Sequence, residues 1–270
     1  MAVSFDEAAA VVAVSHSDIQ AQYQFSDFQR RPVLVWLLVV FAVAVIALGR
    51  LRGVAALAGL GATVVIILVW LLPAILDGRN PVIASLVAAA AVAYVAIFLS
   101  HGFNLMSCVS LIGVLGGLLL TTLLATVSVE LARFTGFASE ESSLLSIFGG
   151  IDLGSLVLAG MVLGAAGALD DVAVTQASAV WQLKGMDPNL TFRPLVRRGL
   201  RIGQDHIGAT VNTLLLAYLG AALPLAILFV LAQQSLGSVA NSEIVAVEIV
   251  RTLVGSVGLV AVVPFTTWLA

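Results

Sequence analysis

Seven runs of this sequence are apolar for long enough to cross a lipid bilayer: 32–48, 54–76, 82–100, 105–127, 153–180, 206–232 and 249–269. A spanning helix needs about 20 predominantly apolar residues, and a water-soluble core has no use for so many such segments in 270 residues. Hydrophobic residues make up 61% of the chain and charged ones 10%, where a soluble domain carries roughly 25% charged. Disorder is excluded by the same imbalance, because a disordered chain has low hydrophobicity and high net charge. The expected fold is all-α, a polytopic transmembrane helix bundle of about seven spans over residues 32–270, behind a short tail at 1–31.

The breaks between runs are turn-like, as in Gly49-Arg50-Leu51-Arg52-Gly53, Asp77-Gly78-Arg79-Asn80-Pro81 and His101-Gly102-Phe103-Asn104. Short breaks make neighbouring helices antiparallel, and the Lys/Arg bias of the loops then sets orientation. Loops 49–53 and 181–203 carry Arg50, Arg52, Lys184, Arg193, Arg197, Arg198 and Arg201, against Arg30, Arg31, Arg79, Arg133 and Arg251 on the other side. This places the N-terminus outside and the C-terminus in the cytoplasm. The tail lacks a signal-peptide layout, since its positive residues follow the Ala8–Val14 apolar stretch. It reads as a non-cytoplasmic tail or the remnant of an upstream segment. Segment 128–150 reads as a long connection covering helix ends, or as a helix at the outer interface.

Charged groups inside a span cost about 2.5–3.5 kcal/mol each on insertion scales, so the spans that keep them single themselves out. The fifth reads Gly160-Met-Val-Leu-Gly164-Ala-Ala-Gly167-Ala-Leu-Asp170-Asp171-Val-Ala-Val-Thr175-Gln176, and the sixth opens Gly203-Gln204-Asp205-His206-Ile-Gly208-Ala-Thr210-Val-Asn212. On consecutive antiparallel helices these two clusters fall at similar depth, with His101 ending the third span on the same side. Asp171, Thr175 and Ser178 share one helix face, and Asp205, Gly208 and Asn212 share another. An intramembrane pocket near the cytoplasmic side is expected from Asp170, Asp171, Thr175, Gln204, Asp205, His206 and Asn212. Thr121, Thr122 and Thr126 could add hydroxyls deeper in. Gly113, Gly117, Gly160, Gly164 and Gly167 are expected to pack helices closely.

Carboxylates beside an imidazole suit a proton or cation pathway, since histidine titrates at about pH 6.5 and buried ionisable residues in membranes default to ion or proton routes. The leading reading is a transporter or permease for a cation or an ion-coupled small solute, and not an enzyme. A divalent cation held by Asp171, Asp205, His206 and His101 would instead suit an intramembrane metal-dependent hydrolase, though no His-x-x-x-His or His-Glu-x-x-His pattern occurs. A third reading is a non-catalytic subunit joined through the glycine faces to a membrane partner or to a second copy. No Gly-x-x-x-x-Gly-Lys-[Ser/Thr] nucleotide loop is present. Nucleic-acid binding has no basic patch to support it, and the single Cys108 excludes an intramolecular disulfide.

At Gly167-Ala-Leu-Asp170-Asp171-Val-Ala-Val-Thr175-Gln176, at Gly203-Gln204-Asp205-His206-Ile-Gly208-Ala-Thr210-Val-Asn212-Thr213 and at the Gly49–Gly53 turn, the sequence resembles the YibE/F-like family of bacterial multi-pass membrane proteins. The resemblance runs from about Asp27 to the C-terminus. It implies a polytopic plasma-membrane protein, in most members with a larger non-cytoplasmic segment ahead of the first shared span. It strengthens the architecture and scarcely touches the mechanism.

Overall fold

A computed structural model of the chain describes residues 9–14, 22–137 and 140–270; much of the expected tail, 1–8 and 15–21, lies outside them. The chain divides after Leu57 into two compact units. The first holds a two-stranded antiparallel ribbon, β1 (Ala9–Val14) and β2 (Gln22–Phe28), and the beginning of α1 (Arg31–Val65). The ribbon was not anticipated. Its residues 9–14 were read only as a short apolar stretch.

Helix α1 continues through a π-helical segment (Ile66–Leu71) into α2 (Leu72–Leu76), so 32–48 and 54–76 belong to one 46-residue helical stretch. That stretch is broken at Arg50, whose φ of 52° and ψ of −129° are not helical. Gly53 is pressed against the carbonyl of Val45, where no side chain would fit. In an unbroken helix eight residues span about 12 Å, so this contact requires the chain to double back sharply at Arg50.

The second unit continues with α3 (Pro81–His101), α4 (Leu105–Ala132), α5 (Glu140–Phe148), α6 (Leu153–Met186), α7 (Phe192–Ala221), α8 (Leu223–Leu231), α9 (Leu236–Asn241) and α10 (Glu243–Leu269). The starts are capped in ordinary ways: Asn80 accepts from the amides of Val82 and Ile83 ahead of Pro81, Asn104 from that of Ser107, and Asp152 from that of Gly154. Gly102, at φ +76°, ends α3. Among the described residues five helices are long and apolar enough to cross a membrane, and α7 with α8 makes a sixth, bent by 60° between them. The difference from seven arises at Arg50, where two expected runs form one interrupted stretch.

Helix α6 is the hub, packed against α3, α4, α7 and α10. Leu118, Val162, Leu169, Val172 and Leu259 are fully buried between these helices. The outward positions are also apolar: Leu119 and Leu123 on α4 are 60% and 62% exposed, a pattern that belongs in lipid, since exposed apolar patches of this extent are rare in soluble proteins. Small residues bring the axes together. Gly113 meets Thr266 and Ala173, Gly117 meets Val262 and Leu169, and Gly258 meets Thr121. Gly160 and Gly164 lie under Arg251 and Tyr218, whereas Gly167 has open space where a side chain would stand. The expected packing role therefore has no contact to serve at Gly167.

Two loops differ from expectation. The stretch 181–203 is mostly helix, because α6 runs on to Met186 and α7 begins at Phe192; the three- and four-residue steps between its arginines make the start of α7 amphipathic. Within 128–150, α4 runs to Ala132 and turns at Arg133, in the left-handed region at φ 54°. Glu243 then accepts hydrogen bonds from the amides of Thr135 and Gly136, both 2.7 Å, and from the Thr135 hydroxyl, 2.8 Å. One carboxylate at the start of α10 thus pins the α4–α5 connection.

Candidate functional site

The two polar clusters meet where α6 and α7 run side by side. His206 Nε2 lies 3.8 Å from Asp171 Oδ2, which is ion-pair distance without being a hydrogen bond. The meeting follows from the short turn at 187–191, which sends α7 back along α6. A buried glutamine fixes the seam. Gln176 donates through Nε2 to the carbonyl of Gly199 at 2.9 Å and to the Thr267 hydroxyl at 2.6 Å, tying α6 to α7 and α10. Gly199 and Gly203 let α7 come this close, since a side chain at either would strike Gln176 or its neighbours Val263, Thr267 and Val180.

The pair is open on one side. The Asp171 and His206 side chains are 64% and 41% exposed, although the Nε2 atom itself is covered and has no hydrogen-bond partner. In place of the expected intramembrane pocket there is an open seam. One turn further along both helices lies a groove of about 430 Å³, where Thr175, Ser178 and Gln182 stand among apolar residues of α6, with Ile202 of α7 and His101 at the end of α3. His101 thus borders the same stripe of α6 that carries Asp171.

The remaining expected residues divide. Asp170 is half-buried, and its Oδ1 is covered without a partner. Thr175 lines the groove but donates its hydroxyl back to the carbonyls of Asp171 and Val172. Asp205 and Asn212 are exposed, about 100° and 240° around α7 from His206. Gln204 lies beside Arg193, Arg197 and Arg201 on another face of α7. Among the described residues no three His, Cys, Asp or Glu side chains gather where a metal could sit. Helical geometry explains why the set Asp171, Asp205, His206 and His101 does not close: consecutive residues such as Asp205 and His206 cannot share a face. Nor do the α4 threonines extend the site. Thr122 and Thr126 donate to carbonyls of their own helix, and Thr121 is buried against Gly258.

A second polar group had passed unnoticed. Glu248 accepts from Arg251 Nη1 at 2.7 Å on α10, and the guanidinium lies 5.8 Å from the ring centroid of Tyr218 on α7. Glu248 and Tyr218 border an apolar cavity of about 170 Å³ between α7, α8 and α10. The signal is present in the sequence, because Glu248 and Arg251 stand three residues apart at the head of the last apolar run. Gln176 was also visible, as an amide in an apolar stretch, yet its distant partners were not.

No curated protein and no solved structure matches this chain. The model of the family described as YibE/F-like protein matches residues 37–270, which take in the α6–α7 seam, the Glu248–Arg251 pair and every helix from α3 to α10. With its apolar helices and this match over most of its length, the chain is a membrane protein that belongs to the YibE/F-like family.

Proposed function

We propose that the protein is a transporter or permease for a cation or an ion-coupled small solute, with Asp171 and His206 as its ion-handling pair. The observation that carries this reading is the 3.8 Å approach of the two side chains across α6 and α7. A carboxylate near the middle of a long apolar helix is costly in hydrocarbon, and an imidazole beside it offers either a proton or a lone pair. Thr175, Ser178, Gln182 and His101 place polar groups along an otherwise mainly apolar groove beside the pair. In this reading Asp170 supports the pair, and Asp205, Gln204 and Asn212 have no place at its centre.

The proposed setting is the plasma membrane, with the 187–191 turn and the start of α7 on the cytoplasmic side, where Lys184, Arg193, Arg197, Arg198 and Arg201 concentrate positive charge. The reversal at Arg50 would separate two spans and bring their number to seven. Membrane-impermeant labelling of single cysteines at Arg50 and Asn189 would find both on one face; opposite faces would contradict the seven-span arrangement.

Transport is tested in liposomes carrying the purified protein, with a trapped pH dye reporting proton entry and trapped calcein reporting Mn²⁺ entry. The wild type is expected to pass at least one of these ions above protein-free liposomes, and Asp171→Asn to lower that flux sharply while leaving it measurable. Wild-type flux in Asp171→Asn would overturn the proposal.

A further inference from the structure

The face of α7 opposite its contact with the bundle carries a row of cations that take no part in ion handling at Asp171 and His206. Arg193, Arg197 and Arg201 follow at four-residue steps, so they stand one above another along the helix. All three are exposed, and none has an ion-pair partner among the described residues. Phe192, Val196 and Leu200 run beside them, and together they shape a shallow concavity of about 470 Å³. The buried Gly199 and Gly203 turn roughly the other way, toward Val180, Gln176 and Val263.

The helix fixes the depth of this row. At 30 residues α7 is about 45 Å long, some 15 Å more than the hydrocarbon core of a bilayer. Its first three turns hold the arginines and its last two, Leu214–Ala221, are apolar and lead into the apolar α8, so the arginine end is the part that falls at headgroup level. Guanidinium groups offer planar, paired N–H donors that match phosphate oxygens. The adjacent Phe192, Val196 and Leu200 offer apolar surface to the glycerol and upper acyl segments of the same molecule.

We infer that Arg193, Arg197 and Arg201 form a binding site for the phosphate headgroup of an anionic phospholipid. The site is independent of Asp171 and His206. It holds a lipid and not a protein partner, because uncompensated positive charge meets apolar side chains at the depth where phosphate meets acyl chain.

The test uses the full chain in nanodiscs of phosphatidylcholine, titrated with fluorescent phosphatidylglycerol. Each arginine is expected to contribute about fivefold to affinity, so that R193Q/R197Q/R201Q loses on the order of a hundredfold. Arg198→Gln, outside the row, should change it little. Unchanged binding in the triple variant would overturn the assignment, as would displacement of the lipid by inorganic phosphate alone, which would make free phosphate the occupant. Should the triple variant fail to fold, Arg197→Gln is read in its place: a loss of about fivefold, weaker at high salt, supports the site, and no loss contradicts it.

Discussion

Two acid–base pairs sit in one helical bundle and are built on different principles. Glu248 and Arg251 share one helix at 2.7 Å, with 32% and 23% of their side chains exposed and the guanidinium beside the Tyr218 ring. Asp171 and His206 come from different helices, stand 3.8 Å apart and are 64% and 41% exposed. The first pair is closed by contact and lies over Gly160 and Gly164, so its charges are neutralised locally and its loss should be felt in stability. The second is loose and open, so its loss should be felt in what the protein does. A pair already in hydrogen-bond contact leaves less for a ligand to gain, although the Arg251 Nε is itself covered without a partner, whereas a pair held just beyond hydrogen-bond distance leaves room for an ion or a proton between its members.

That contrast can be broken by substitution. Arg251→Ala should give the largest destabilisation, about 3 kcal/mol, the low end for a broken buried pair because some exposure remains; unfolding in detergent micelles would measure it, and a negligible change would erase the distinction. Gln176→Leu should follow at about 1–2 kcal/mol, as the Gly199 carbonyl loses its donor and the α6–α7 seam loosens. Tyr218→Leu, which keeps apolar contact but removes the ring beside Arg251, should cost about 0.5–1 kcal/mol. Asp171→Asn should cost least, below about 0.5 kcal/mol, since an exposed and widely spaced pair contributes little to folding. A large loss of stability in that variant would place Asp171 with the structural pair.

The sequence made the helices plain because each apolar run must be long enough to cross hydrocarbon, and α3, α4, α6 and α10 follow from that rule. It could not reveal that Arg50 interrupts a single helical stretch, since the reversal depends on one residue's backbone angles and on the fit of Gly53 to Val45. The start of α7 is amphipathic and not apolar, and its signal lies in the three- and four-residue spacing of Arg193, Arg197, Arg198 and Arg201. The meeting of Asp171 with His206 was legible from two polar patches on successive antiparallel helices joined by a short turn. The extent of its exposure was not, for exposure depends on the neighbours of α6 and α7, and helical phase at one-residue resolution decided against Asp205. Gln176 and Glu243 bind partners 91 and 108 residues away, and separations of that size leave no trace in local pattern.

The central claim is that Asp171 and His206 act as one unit in moving an ion, and a double-mutant cycle on liposome flux tests it most directly. Asp171→Asn, His206→Gln and the double variant would be compared at equal reconstituted amounts. The account predicts that the double variant passes ions no more slowly than either single one, because the first substitution already disables the pair. Flux losses that multiply in the double variant would show two independent contributions and contradict the claim.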